Sequence, residues 1–126
     1  MTLLNDFYKI DSRNNEGDDV LFYISLLPGY CAYKGHFPGR PVSPGVCNIQ
    51  MIKECAEQVT NRRLFLGYIA QCRFLAVITP QTTSQLKLRI GSCQVSLLPE
   101  MYKIHATLYD DVTIYVEFKG EFTTEN

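Results

Sequence analysis

The sequence has no tryptophan, only two histidines and a net charge of -1 over its 126 residues. This near balance of charge argues against a general nucleic-acid binder, which carries a marked basic excess. No apolar run approaches the roughly 20 residues that a membrane-spanning helix needs, and the first residues lack the basic lead and apolar block of a secretion signal. We therefore expect one cytoplasmic domain over residues 1–126, with no membrane span and no nucleic-acid partner.

The five cysteines are odd in number and scattered along the chain. They form no CxxC pair and no cluster with histidine at the spacing of zinc ligands. We expect them to be reduced and mostly buried as small apolar side chains. The sequence thus predicts neither a metal site nor another cofactor.

Charge is distributed unevenly along the chain. Between Lys34 and Arg73 lie six basic residues and two acidic ones. An acidic partner or an anionic substrate tail could dock on this middle third of the chain, although a solvated surface of mixed charge explains the same excess.

Hydrophobic patterning predicts one strong helix with strands on both sides of it. Ser43 suits an N-cap and Pro44 the first helical position, and the helix then continues to about Asn61. Apolar residues recur at helical spacing along it (Val46, Ile49, Ile52, Ala56 and Val59), while Gln50, Glu54 and Glu57 share a polar face. Before the helix we expect a short helix at residues 3–10, a polar turn at 11–19 and a buried strand at 20–27.

Everything after the strong helix has the pattern of strands, at residues 65–74, 84–98, 101–109 and 112–122. In the strand at 101–109, one side is expected to hold Tyr102, Ile104, Ala106 and Leu108. In the strand at 112–122, one side is expected to hold Val112, Ile114, Val116 and Phe118. His105 falls on the opposite, polar side of its strand, so we expect it at the surface. One long helix with an antiparallel sheet to cover its apolar stripe defines an α+β domain.

The stretch GHFPGRPVSPG, residues 35–45, is the most distinctive motif in the chain. Its prolines fix the backbone, and its glycines allow tight turns and close approach of a ligand. The motif leads into the start of the strong helix, where the N–H groups of Gly45 and Val46 can bind an oxyanion or a polarised carbonyl. A histidine held beside such a site, here His36, can remove a proton alpha to a carbonyl, although an isolated histidine more often only fills a turn.

This motif resembles the active-site segment of the 3-hydroxyacyl-acyl-carrier-protein dehydratases of fatty acid synthesis. The matching positions are His36, Phe37, Pro38, Gly39, Pro41, Pro44 and Gly45. The stretch RFLAVITP, residues 73–80, is similar to a second segment of that family. The resemblance implies a single hotdog domain, in which a long central helix is wrapped by an antiparallel β-sheet.

The resemblance also implies site residues and partners. His36 is expected to act as the base on a 3-hydroxyacyl thioester, while Gly45 and Val46 hold the thioester oxygen. Phe37 and Tyr33 are expected to contact the acyl chain, although packing explains Tyr33 equally well. Acyl carrier protein, or its acyl-phosphopantetheine thioester, is the expected partner, with Arg40, Arg62 and Arg63 as its docking residues. Because relatives pair their sheets, a homodimer or an assembly of dimers is expected.

The chain departs from the family at Gln50, where the resemblance would place the acid that protonates or orients the leaving hydroxyl. An amide donates a hydrogen bond but cannot deliver a proton at neutral pH. One turn later Glu54 stands where many relatives carry glutamine, and residues four apart on a helix lie side by side. Relative to the family pattern, the acid and the amide therefore stand in exchanged positions along the helix.

Three hypotheses follow from this exchange. In the first, Glu54 replaces the acid, alone or through a water, and Gln50 orients the hydroxyl of an active dehydratase. In the second, activity is impaired, and the protein binds acyl thioesters or carrier protein, or pairs with an active homologue. In the third, the protein is an acyl thioesterase, a reaction that other hotdog proteins perform.

Overall fold

A six-stranded antiparallel sheet and one long helix form the part of the chain that the computed structural model describes, residues 2–27, 45–79 and 83–124. In chain order these are β1 (Tyr8–Glu16), β2 (Asp19–Leu26), α1 (Gly45–Thr60), β3 (Leu64–Phe74), β4 (Gln85–Leu97), β5 (Glu100–Tyr109) and β6 (Ile114–Thr124). Across the sheet the order is β1-β2-β4-β5-β6-β3, with each neighbouring pair antiparallel. The predicted α+β class is confirmed, as are the helix and the strands from β2 onward.

Helix α1 packs against the sheet over a wider face than the predicted stripe. Its buried side chains are Cys47, Asn48, Met51, Ile52, Glu54, Cys55 and Ala56. Val46, which was expected in the stripe, is 67% exposed in the first turn of the helix. The buried face is wide because the helix is covered on one side by the sheet and on another by the chain that precedes β1.

The end of α1 is defined by a local backbone motif. Asn61 takes a left-handed conformation with a φ of 54°, and the N–H of Arg62 donates to the carbonyl of Glu57 at 3.3 Å. A left-handed residue followed by an N–H that donates to a carbonyl of the last turn is a common C-terminal capping motif. Asparagine tolerates the left-handed conformation better than most residues. The helix end predicted near Asn61 is confirmed, whereas its predicted start at Ser43 and Pro44 lies outside the described residues.

Two predictions for the first 19 residues are wrong. The segment expected to be a short helix turns at residues 5–7 and enters strand β1 at Tyr8, and the segment expected to be a polar turn forms most of that strand. Strand β1 lies at the edge of the sheet and is largely exposed. Its sequence therefore lacks the alternation of apolar and polar residues that marks a half-buried strand. The turn itself is only Gly17 and Asp18, with Gly17 in the left-handed region at a φ of 61°.

The last strand, β6, begins two residues later than the sequence pattern indicates. Val112 is 91% exposed in the loop between β5 and β6, and Ile114 is also exposed, so the prediction that they share one face with Val116 and Phe118 is wrong. Asp110 organises this loop, since one of its carboxylate oxygens accepts hydrogen bonds from the N–H groups of Val112 and Thr113, each at 2.8 Å. Val116 and Phe118 are both buried.

Candidate functional site

Six of the predicted site residues lie in the described part of the chain: Gly45, Val46, Gln50, Glu54, Arg62 and Arg63. The other predicted site residues, His36, Phe37, Tyr33 and Arg40, lie outside the described residues. The structure therefore describes the half of the candidate site that helix α1 and its surroundings contribute.

Glu54 is the centre of a buried hydrogen-bond network. The residue is only 8% exposed. One oxygen, Oε2, accepts from the Leu3 N–H at 2.8 Å and from the Gln50 amide nitrogen at 2.9 Å. The other, Oε1, accepts from the Leu4 N–H at 3.0 Å and the Tyr8 hydroxyl at 2.9 Å. Because all these partners are donors, Glu54 acts in this arrangement as an acceptor only.

The groups that surround this carboxylate are poor proton donors or nucleophiles. Burial, with added effects of nearby Cys55 and Glu54, raises the pKa of the Tyr8 hydroxyl far above its ordinary value of 10.0. Burial also raises the pKa of the Cys55 thiol to about 12. Both side chains stay neutral at physiological pH, which suits a structural network better than an acid-base site.

Gln50 lies half-buried on α1, one turn before Glu54. A carboxylate can only accept, so the Gln50 side chain must direct its amide nitrogen at Glu54, as the 2.9 Å bond records. The sequence predicted that these two side chains are neighbours, and the structure adds the direction of the amide. Sequence reasoning missed Tyr8 as a partner of the pair, because it lies 46 residues from Glu54 and no local pattern connects them.

The start of α1 approaches the end of β3 closely. A side chain added at Gly45 would meet the ring of Phe74, with a Cβ only 2.9 Å from its Cζ atom. Glycine therefore lets the helix start and this aromatic ring come together beside the exposed Val46. Phe74 belongs to the RFLAVITP stretch, and that resemblance is the one sequence signal that could have marked it.

A depression of about 620 Å³ runs along the outer side of α1 from Gln50 toward the helix end. Its basic lining residues are Lys53, Arg62 and Arg63. The Arg62 guanidinium is already bonded to Glu100 at 3.1 Å and to the Asn61 carbonyl at 3.0 Å. The predicted docking residues Arg62 and Arg63 thus share one surface with Gln50.

The remaining candidate residues have ordinary surroundings. Four of the cysteines lie in the described ranges and are unpaired with one another; Cys47 and Cys55 are buried, Cys72 is partly buried and Cys93 is exposed. His105 lies at the surface, as predicted.

Within the residues described, no helix has the length and apolar character to cross a membrane, and no group of acidic, cysteine and histidine side chains is arranged to hold a metal.

The class of protein is defined by the fold, since a long helix against this antiparallel sheet is a hotdog domain. The dehydratase heterocomplex ApeI:P from Xenorhabdus doucetiae has a similar structure, with a TM-score of 0.69 and 18% identity over 90% of this chain and 96% of that one. An uncharacterized protein from Erwinia carotovora subsp. atroseptica has a TM-score of 0.58 and 18% identity over 88% and 87% of the two chains. These similarities confirm the expected hotdog fold.

The family is defined by sequence. Residues 12–108 match the ApeI-like family, described as ApeI dehydratase, and this chain therefore belongs to the ApeI-like dehydratases. The 3-hydroxyacyl-acyl-carrier-protein dehydratase FabZ of Levilactobacillus brevis is 38% identical over 92 residues, 64% of this chain and 62% of that protein. FabZ of Lactiplantibacillus plantarum is 25% identical over 83 residues, 60% and 56% of the two chains. The match spans less than two thirds of either relative.

Proposed function

We propose that this protein dehydrates 3-hydroxyacyl thioesters carried by acyl carrier protein to trans-2-enoyl thioesters. The products would serve fatty acid synthesis or a related lipid or polyene pathway in the cytoplasm. Membership of the dehydratase family supports the reaction class. The structural observation that best supports the proposal is the position of Gln50 on helix α1, five residues after the first residue of the helix, Gly45.

This spacing suits the substrate. Five residues of helix span roughly 7.5 Å along the axis. A thioester oxygen bound by the N–H groups of Gly45 and Val46 can then lie beside a hydroxyl two carbons away that contacts the Gln50 amide. Helix N–H groups stabilise the negative charge that develops on the thioester oxygen when a base removes the α proton.

In the proposed reaction His36 removes the α proton, the C–O bond at the β carbon breaks, and the hydroxyl leaves as water. The leaving hydroxyl needs one proton. Gln50 cannot supply it, and Glu54 already faces four donors, so the geometry favours an indirect role for Glu54. We assign the proton to the imidazolium of His36, which has just taken one from the α carbon, while Gln50 holds the hydroxyl in place.

The proposal includes contacts for the substrate and its carrier. Phe37 and Tyr33 would line the acyl path together with Phe74, which lies against the helix start. Arg40, Arg62 and Arg63 would bind the acidic carrier or the phosphate of its prosthetic group, because guanidinium groups suit phosphate recognition. The depression that joins Arg62 and Arg63 to Gln50 supports this placement.

The purified protein should interconvert 3-hydroxyacyl and 2-enoyl thioesters without releasing free thiol. Both the carrier-protein and the coenzyme A thioesters should be assayed, by absorbance of the enoyl group and by thiol titration. Thiol release without dehydration would instead identify a thioesterase. Binding of the thioester without turnover would identify an impaired member of the family that works through binding or through an active partner.

We also propose that two copies pair through strand β3. This strand lies at the edge of the sheet and exposes large apolar side chains, including Phe65, Tyr68, Ile69 and Phe74. An exposed edge of this kind is a template for pairing with another strand. A second copy that added its own β3 would cover these side chains and extend the sheet.

Tyr68→Lys should shift the protein from dimer toward monomer in sedimentation experiments, because a charge on an edge strand opposes pairing. Tyr68 is 59% exposed, so the folded monomer should tolerate the change. Val112→Lys is the matched control, since Val112 lies in the loop between β5 and β6. A wild-type protein that sediments as a monomer would contradict the proposal.

A further inference from the structure

We propose that Glu54 is a positioning residue, which fixes the amide of Gln50 and couples it to the chain segment at Leu3, Leu4 and Tyr8. This inference rests on the proposed function for its effect on catalysis, but its structural part can be tested without activity. It assigns to the segment before β1 a role in the site on helix α1.

The coupling runs through shared oxygen atoms. Oε2 of Glu54 accepts from both the Gln50 amide nitrogen and the Leu3 N–H, so a movement of either donor displaces the acceptor of the other. Oε1 is fixed in turn by the Leu4 N–H and the Tyr8 hydroxyl. The carboxylate therefore has its position defined by two backbone groups and one buried side chain, and Gln50 is held against that fixed point.

The segment that supplies these donors is itself anchored. Leu3, Phe7 and Tyr8 are buried, with exposures of 1%, 0% and 0%. The Phe7 N–H donates to the Leu3 carbonyl at 2.8 Å, and the Leu27 N–H donates to the Phe7 carbonyl at 3.0 Å. These bonds tie the segment to itself and to the end of β2, so it can act as a rigid support for Glu54.

A carboxylate at position 54 also determines which end of the Gln50 side-chain amide faces it, whereas an amide at position 54 would not. The two ends of a glutamine side chain have nearly the same shape, and hydrogen-bond partners decide which end faces where. Glu54 accepts only, so it selects the orientation with the Gln50 nitrogen toward it. A glutamine at position 54 could accept or donate and would permit both orientations of Gln50.

The kinetic test compares Glu54→Gln with Glu57→Gln. The control is matched, because Glu57 is another carboxylate of α1 that accepts a distant backbone N–H, that of Leu64 at 2.9 Å. Glu54→Gln should lower kcat by about 10- to 100-fold through misplacement of Gln50, with little change in KM. Glu57→Gln should lower the Tm but leave kcat unchanged. Equal losses of kcat in both variants, or an unchanged kcat in Glu54→Gln, would overturn the proposal.

A spectroscopic test separates this proposal from the proposed reaction. The side-chain amide of Gln50 gives an NMR signal that can be assigned by its absence in Gln50→Ala. This signal should shift or broaden in Glu54→Gln and, to a smaller degree, in Tyr8→Phe, but not in Glu57→Gln. If the wild type lacks dehydratase activity and the signal still responds in this pattern, the positioning role stands and the proposed reaction fails. A signal that does not respond to Glu54→Gln rejects the positioning role even in an active enzyme.

Discussion

Replacement of His36 by alanine is expected to lower kcat/KM for dehydration by about 100- to 10,000-fold, the usual effect of losing a general base. In the proposed reaction His36 both takes the α proton and returns it to the leaving hydroxyl, and neither Gln50 nor Glu54 is arranged to replace it. The rates of wild type and variant on the same 3-hydroxyacyl thioester measure this effect. KM should change less than kcat, because the base acts on the bound substrate.

The chain provides its own control for this experiment. His105 is its only other histidine, and it is exposed on strand β5. His105→Ala should leave both kcat and KM unchanged. A fully active His36→Ala protein would exclude His36 as the base, and equal losses in the two variants would point to an effect on the fold rather than on the reaction.

Glu54→Leu should lower the free energy of unfolding by about 3 to 5 kcal/mol, because three buried or partly buried donors lose their acceptor at about 1 to 3 kcal/mol each. The substitution replaces the carboxylate with an apolar side chain and so removes the acceptor for the N–H groups of Leu3 and Leu4 and for the Tyr8 hydroxyl. Each buried donor left without a partner costs about 1 to 3 kcal/mol, and water will satisfy part of this demand.

Urea denaturation followed by circular dichroism measures this loss. Glu57→Leu is the comparison, because it removes the acceptor of one backbone N–H, that of Leu64. Its loss should be smaller, about 1 to 3 kcal/mol. A loss below about 1 kcal/mol in Glu54→Leu would show that the segment at Leu3 and Leu4 finds other partners and is not held by the carboxylate.

The parts of the fold that depend on local periodicity could be predicted. Strand β4 alternates at Leu86, Leu88 and Ile90, and all three side chains are buried. The end of α1 near Asn61 could also be predicted, because the helical pattern stops there. In these cases the side chains that decide the structure are close together in the sequence.

The parts that depend on distant contacts could not be predicted. Residues 11–16 are polar because β1 is an exposed edge strand, and edge position follows from strand order rather than from local sequence. The pattern of α1 placed Gln50 and Glu54 on one polar face, but it gave no sign that Leu3, 51 residues away, covers it. Val112 was misplaced because a continuous alternation does not show where a loop ends and a strand begins.

The bond between Gln50 and Glu54 has a consequence for how such a sequence can evolve. To change from an acid followed by an amide to the opposite order, a lineage must pass through two amides or two acids if it substitutes one residue at a time. Two amides leave the N–H groups of Leu3 and Leu4 short of acceptors, while two acids four residues apart on a helix repel each other. The two positions therefore constrain each other, and the effect of a substitution at one depends on the residue at the other.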